Sequence, residues 1–508
     1  MTTLRETIIR GAPNDFGWRR LMLGVGEDHQ QRIPSGDVLA AIWHVTDMHI
    51  CDAESPARQE YMDRYGDEDS MYAKELGDVG TYRPHEMLTM PVFISMLQAV
   101  NSLQRAPVSG AKVNLLLLGG DSTDNAQQNE WSWFKKALQG GPVQAFSGVA
   151  GKDNLVGSEG RSNFDERYWH PDSGSDRPTL IYGYPKIPGL FEALKQAMPS
   201  PGARIPHVWL RGNHDALLQG SVPVDDSLVA LATGDQRIVG LPEHADPRQI
   251  SSAIPETGPA KYFHNASSPR ERVPADPART PVGPEGVEYG VTQVGSVVMI
   301  RLDTVNPNGG WNGSLDLPQY EWLNDQLEKN RDRYVVIATH HPSFTLTNEY
   351  APPGAAPRVL GAELVNLLLE YPNVIAMLAG HIHSHLAVLH ETHERDPYDE
   401  SLPRSGFWEI TTASLIDWPQ QGRIIEIIRE KYQGRSQIAI VSTVVDHAAG
   451  ITWDPKRLDD AFNLAAISRD LAANDYHIRN EENPRVLRLL SAPEFRNVIW
   501  RLPDPLMN

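Results

Sequence analysis

The chain has 508 residues, a formal net charge of −19, 40% hydrophobic and 22% charged residues. That length carries one large domain with insertions, or two to three domains, and the composition is that of an ordinary globular protein with a sizeable core. The acidic balance argues against a nucleic-acid binder that relies on a basic surface and against binding to anionic membranes. A phosphate-bearing substrate stays open, because bound divalent cations reverse the local field. The one cysteine, Cys51, excludes an internal disulfide and a cysteine-cluster metal site. Any metal must then be held by His, Asp, Glu or Asn. The opening residues Met1 to Glu6 lack an apolar signal-type run, and no apolar stretch reaches the roughly 18 residues of a membrane span. The expected location is cytoplasmic.

Residues 1–38 are polar and mixed, and read as an arm on the domain surface. Val38 to Val45 is a short apolar run, a strand that stops at Thr46-Asp47-Met48-His49. His44, inside it, reads as a core or hydrogen-bonded histidine. Residues 50–84 form a long acidic and aromatic loop, whose Arg58 and Arg83 could reach a phosphate but read rather as surface salt-bridge partners. Residues 85–105 have helical spacing, as a crossover helix would. Val113 to Leu118 is a second buried strand, ending in Gly119-Gly120-Asp121-Ser122-Thr123-Asp124. Asn129 to Leu138 reads as the following helix.

Residues 139–200 break the rhythm, with Phe164, Tyr168, Trp169, Tyr182 and Tyr184 among Gly, Pro, Ser and Asp. The expectation is an insertion that folds over a site and shapes its pocket, favouring a ring-bearing leaving group. Pro206 to Leu210 is a third strand, ending Arg211-Gly212-Asn213-His214-Asp215. A second irregular insertion spans about 216–285. Val287 to Val294 and Ser296 to Leu302 read as a hairpin, and Pro318 to Leu327 as a helix with proline near its start. Tyr334 to Ala338 is a strand ending Thr339-His340-His341-Pro342, and Ala362 to Leu369 a helix. Asn373 to Leu378 is a strand ending Ala379-Gly380-His381-Ile382-His383. Strands follow at 386–389, 407–411, 423–428 and 437–445. Residues 39–450 would be one domain, and 451–508 a C-terminal helical extension.

Five strands thus end in metal-capable groups, and ligands collect at the carboxyl ends of strands in α/β sheets. Two residues apart on an extended segment, His381 and His383 project to the same side. The set of two carboxylates, one amide and four imidazoles suffices for two cations sharing one carboxylate, with positions left for water and substrate. That is the arrangement used for metal-assisted displacement at phosphorus.

The blocks Asp47-x-His49, Gly120-Asp121-x-x-Asp124, Gly212-Asn213-His214-Asp215, His340-x-Pro342 and Gly380-His381-x-His383 resemble, in this order, those of calcineurin-like metallophosphoesterases. Gln319-x-x-Trp322-Leu323 and Trp408-Glu409-Ile410 also look like the purple acid phosphatase and cyclic-nucleotide phosphodiesterase branches. The resemblance implies an α/β fold, a four-layer α/β/β/α sandwich of two mixed sheets with long insertions. It implies one metal on Asp47, His49 and His383, a second on Asn213, His340 and His381, and Asp121 as the bridge. The family pattern favours His340 over His341, and the sequence leaves that choice open. His214 would act as general acid or transition-state donor, with Asp215 as its orienting partner. Purple acid phosphatases place a tyrosine three residues after the bridging aspartate. Here Asp124 stands there, which puts the redox-active iron pairing in doubt and leaves Mn, Zn or Fe as two divalent ions. Asp124 reads as a carboxylate behind the ligands or capping the turn.

The expected activity is hydrolysis of a small-molecule phosphate monoester or diester through a metal-bridging hydroxide. The alternatives are a mononuclear Fe(II) oxygenase-type site on Asp47 and His49, and a non-catalytic metal-holding regulatory protein. Oligomeric state is not legible.

Overall fold

Leu115 to Leu118 and Val335 to Ala338 are apolar at every position because both faces of each strand are covered. The computed structural model that shows this describes residues 1–67, 69–76, 82–147, 165–172, 174–233, 236–240, 246–249, 271–274, 289–392, 395–396, 399–477 and 492–507. In chain order the principal elements begin with β1 (Glu6–Pro13), β2 (Arg19–Val25), β3 (Gly36–Val45), α1 (Thr89–Ser102), β4 (Leu115–Leu118), α2 (Gln128–Gln139) and β5 (His207–Trp209). Next come β6 (Gly290–Val294), β7 (Val297–Arg301), α3 (Leu317–Lys329), β8 (Val335–Ala338), α4 (Gly361–Leu369) and β9 (Val374–Ala379). Then follow β10 (Leu386–Glu391), β11 (Gly406–Thr411), β12 (Gln421–Tyr432), β13 (Arg435–Asp446), α5 (Ala461–Ala473) and β14 (Ile499–Pro503).

Two mixed six-stranded sheets result, ordered β14-β13-β12-β3-β4-β5 and β6-β7-β8-β9-β11-β10. In the first, β3, β4 and β5 run parallel and the other neighbours antiparallel. In the second, β7, β8, β9 and β11 run parallel, and both edges are antiparallel. Alternate side chains divide between two faces. Ile42, Leu117, Ile425 and Ile440 pack across to Met299, Val336, Ile375 and Leu378, forming the core between the sheets. Trp43, Leu116 and Leu118 turn outward against Phe93 of α1, Phe134 of α2 and Leu464 and Ile467 of α5. Ile300, Val335, Ile337 and Met377 turn outward against Leu323 and Leu327 of α3 and Leu364 and Leu368 of α4. The layers are helix, sheet, sheet, helix, as the α/β expectation had it.

The chain's two ends are woven into this body. Residues 1–38, expected as an arm, form the β1–β2 hairpin, and Thr2 bridges Val445. Ile8 and Leu21 pack with Ala472 and Ala473 of α5. The expectation of a helical extension at 451–508 is corrected in part: its described residues hold a strand, β14, besides the helix α5. The apolar stripe of α5 is buried on the first sheet, and the apolar β14 is that sheet's edge strand. The aromatic stretch at 139–200 needs a correction too. Tyr168, Trp169 and Tyr184 are 1–2% exposed, and Trp169 and Tyr184 join the core outside the first sheet. Among the described residues these rings therefore fill core instead of lining a pocket, and the argument for a ring-bearing leaving group loses its support. Phe164 and most of 216–285 lie outside the described residues. Among the described residues no helix is long and apolar enough to cross a membrane.

Candidate metal centre

Parallel strands of both sheets, β3, β4 and β5 in the first and β8 and β9 in the second, end at one place. Asp47 and His49 follow β3, Asp121 follows β4, Asn213 and His214 follow β5, His340 follows β8, and His381 and His383 follow β9. Backbone bonds lock these tips together: Asp47 N–H donates to the Gly120 carbonyl (3.0 Å), His49 N–H to that of Asp121 (2.9 Å), and Gly380 N–H to that of His340 (2.9 Å). Asp47, His49, Asp121, His381 and His383 all have positive φ, between 45° and 69°. Such conformations cost on the order of 1–3 kcal/mol each and persist where surrounding structure enforces them, typically at functional sites. Gly212 shows how tight the enforcement is: a Cβ there would stand 2.1 Å from Asp121 Oδ1.

Two groups of donors share Asp121. In the first, Asp47, His49, Asp121 and His383 place their donor atoms within 4.8 Å of one another. His383 Nε2 is 3.3 Å from Asp47 Oδ1 and 3.3 Å from His49 Nε2. In the second, the Asn213 amide oxygen is 3.3 Å from His340 Nε2 and 3.1 Å from His381 Nδ1. Asp121 Oδ2 stands between the groups, 3.6 Å from His49 Nε2 and 3.3 Å from His340 Nε2. Its other oxygen, Oδ1, accepts the His214 backbone N–H at 2.8 Å.

The far nitrogen of each imidazole sets which atom is free. His383 Nδ1 meets Asp417 Oδ2 at 2.7 Å, His49 Nδ1 meets Asp124 Oδ1 at 3.2 Å, and His340 Nδ1 meets the Gly119 carbonyl at 2.9 Å. Donation from Nδ1 leaves the lone pair on Nε2, facing the shared centre. His341 is different. Its Nδ1 accepts from the Thr304 hydroxyl at 2.8 Å and its Nε2 reaches the Trp311 carbonyl at 3.1 Å. Both His341 nitrogens thus have partners within the protein, although the ring lies close enough to His340 and His381 for one nitrogen of each of the three to fall within 4.8 Å of the others.

Electrostatics follow from burial and crowding. Burial opposes charge on Asp47 and Asp121, yet His383 beside the first and His340 beside the second hold both carboxyls well below the usual range. Burial favours neutral rings, but Asp121 pushes His340 up to about 9, and Asp47 with Asp417 does the same for His383. Burial, then His214, takes His49 down to about 4, and burial with His341 and His340 takes His381 far down. Without metal, protons on His340 and His383 thus offset the carboxylates. Nitrogen, carboxylate and amide donors converging there could hold divalent cations in place of those protons.

Arg58 and Arg83 are buried, which corrects their reading as surface salt-bridge partners. Arg58 pairs with Asp124 and with Glu86, and Arg83 grips Asp417 through Nε at 2.6 Å and Nη2 at 3.1 Å. Against burial, these guanidiniums hold Asp124 and Asp417 well below the usual carboxylate range. Asp124 also accepts at His214 Nδ1, at 3.2 Å through Oδ1 and 3.1 Å through its carbonyl. The His214 ring meets His49 edge-on, centroids 4.3 Å apart. Asp215 does not face that ring. Its oxygens accept from the backbone of Gly212, Ser122 and Thr123 and from the Thr123 hydroxyl. Asp124, not Asp215, is thus the carboxylate at the His214 ring, and Asp215 ties the β4 and β5 tips. Burial and Asp121 push Asp215 up to about 6. Asp417 went unseen in the sequence because it lies in a loop after β11 with no motif around it. Trp311, tilted over His381 at 5.5 Å, was missed likewise.

No curated protein matches the chain. Among solved structures it resembles a dimetal phosphatase from Danio rerio at 11% identity, covering 81% of this chain and 100% of that one, TM-score 0.33. It resembles the calcineurin-like phosphoesterase YfkN from Bacillus subtilis at 12% identity, covering 86% and 99%, TM-score 0.28. GAP50, the anchor in the inner membrane complex of Plasmodium, matches at 10% identity, covering 81% and 85%, TM-score 0.25. Those scores are too low to carry weight, and the layered architecture rests on this chain's own sheets. The stretch containing Asn213, His214, His340, His381 and His383 is matched by a family model: residues 183–385 are similar to the calcineurin-like phosphoesterases.

Proposed function

We propose that the chain is a metal-dependent phosphoesterase that hydrolyses a small phosphate monoester or diester at a dinuclear centre. The observation that carries this reading is Asp121 Oδ2, which lies 3.6 Å from His49 Nε2 and 3.3 Å from His340 Nε2. A single carboxylate between two donor groups is what a bridged pair of cations needs. Asp47, His49 and His383 would hold one divalent ion, Asn213, His340 and His381 the other, and Asp121 both, with Mn, Zn or Fe as candidates. Bound there, two dications supply Lewis acidity, neutralising charge on phosphoryl oxygens and acidifying a coordinated water.

The chain's own residues supply the rest. His214 has Nδ1 engaged by Asp124, so Nε2 is the atom through which it passes a proton to the leaving oxygen. Asp124, paired with Arg58, orients the His214 ring by accepting from Nδ1. The His214 backbone N–H occupies Asp121 Oδ1, which leaves Oδ2 as the oxygen that would serve both cations. The test is hydrolysis of nitrophenyl phosphate and bis-nitrophenyl phosphate by the Mn(II)-loaded chain. At least one ester should be cleaved, and which one separates monoesterase from diesterase. His214→Ala should lower turnover about 10²–10⁴-fold with metal content unchanged. Cleavage of neither ester, or loss of metal from His214→Ala, overturns the reading.

A further inference from the structure

The imidazoles of the two donor groups are backed in different ways. In the group around Asp47, each outward ring nitrogen meets a carboxylate: His49 meets Asp124 at 3.2 Å and His383 meets Asp417 at 2.7 Å. Each carboxylate meets a buried arginine in turn, Arg58 behind Asp124 and Arg83 in a two-point grip behind Asp417. Glu86 joins the two arginines, accepting from Arg58 Nη2 at 2.6 Å and from the Arg83 backbone N–H at 3.2 Å. In the group around Asn213 the backing is neutral. His340 donates to the Gly119 carbonyl at 2.9 Å. His381 Nε2, turned away from Asn213, is buried with no hydrogen-bond partner among the described residues.

We propose that Asp417, clamped by Arg83, is a positioning residue for the cation site on Asp47, His49 and His383, and that with Asp124 and Arg58 it makes this the tighter of two unequal sites. The inference rests on the dinuclear reading above. A carboxylate behind an imidazole fixes the tautomer that leaves Nε2 bare and also raises the ring's basicity. A backbone carbonyl fixes the tautomer but adds no charge. The Arg–carboxylate fork holds the carboxylate in one orientation, which a lysine's single point charge does not. The ligands themselves add to the inequality, since Asp47 brings a charge where Asn213 brings an amide. The two arginines come from the long 50–84 stretch and Asp417 from the loop after β11.

The experiment is calorimetric titration of the metal-free chain with Mn(II), with metal content checked by elemental analysis. The unaltered chain should bind in two steps of unequal affinity. Asp417→Asn should weaken the tight step about 10–100-fold and leave the weak step in place. Arg83→Lys keeps the charge and loses the fork; it should give a smaller loss in the same step, and it serves if Asp417→Asn fails to fold. A loss confined to the weak step, an equal loss in both, or no loss overturns the proposal. Uptake of fewer than two ions by the unaltered chain overturns the dinuclear reading itself.

Discussion

Taking the metal-free chain from pH 8 to pH 6 should weaken its hold on Mn(II) about 90-fold at each site. The magnitude comes from two rings. His340 and His383 are pushed up to about 9 by the carboxylates beside them, so each carries a proton that a cation must displace. Against a group at about 9, the bare fraction falls about 90-fold between pH 8 and 6; for an ordinary histidine at about 6.5 it falls only about fourfold. The other donors do not blur the count. His49 and His381 are held neutral, and Asp47 and Asp121 are already ionised. One proton per cation should therefore be released at pH 7. Titration calorimetry in buffers of different ionisation heat measures both quantities. An affinity change below about tenfold, or a heat independent of buffer, would refute the reasoning.

The metal-free chain should melt at lower temperature as pH rises from 6.5 to 9. A histidine raised from 6.5 to about 9 stabilises the folded state fully below 6.5, and that contribution is lost as pH climbs through 9. Glu130, raised by burial to about 8, acts in the same direction. Saturating Mn(II) should flatten the trend, because cations replace the protons, and a metal-free melting point that rises with pH across this window in scanning calorimetry would contradict it. Asp121→Asn should cut metal content from two ions to one or none; two ions retained would remove the bridging role. Gly212→Ala puts a methyl 2.1 Å from Asp121 Oδ1, so it should lower both Mn(II) uptake and ester hydrolysis. Uptake equal to that of the unaltered chain would show that the tip is looser than its packing implies.

The strand tips were legible in the sequence for a physical reason. Strands covered on both faces read as unbroken apolar runs, and the groups that matter come within five residues of where each run stops. Leu118 to Asp121 and Ala379 to His383 are such cases. What lay beyond reading is what depends on pairing across the chain. Asp417 meets Arg83, 334 positions away, and nothing local marks either residue as buried. Asp215, adjacent to His214 in sequence, turns instead to the backbone of the β4 tip, while Asp124, 90 positions away, takes the His214 ring. The partners of His341, the Thr304 hydroxyl at Nδ1 and the Trp311 carbonyl at Nε2, were likewise beyond reading. The rings of Trp169 and Tyr184 sit in an irregular stretch without period, so their place in the core was invisible.

Hydrolysis of nitrophenyl esters measured against the number of Mn(II) ions per chain tests the dinuclear centre most directly. Asp121 stands between two donor groups, so activity should appear as the second equivalent is taken up and reach its plateau at two ions per chain. Full activity at one ion per chain, or with none, would contradict it.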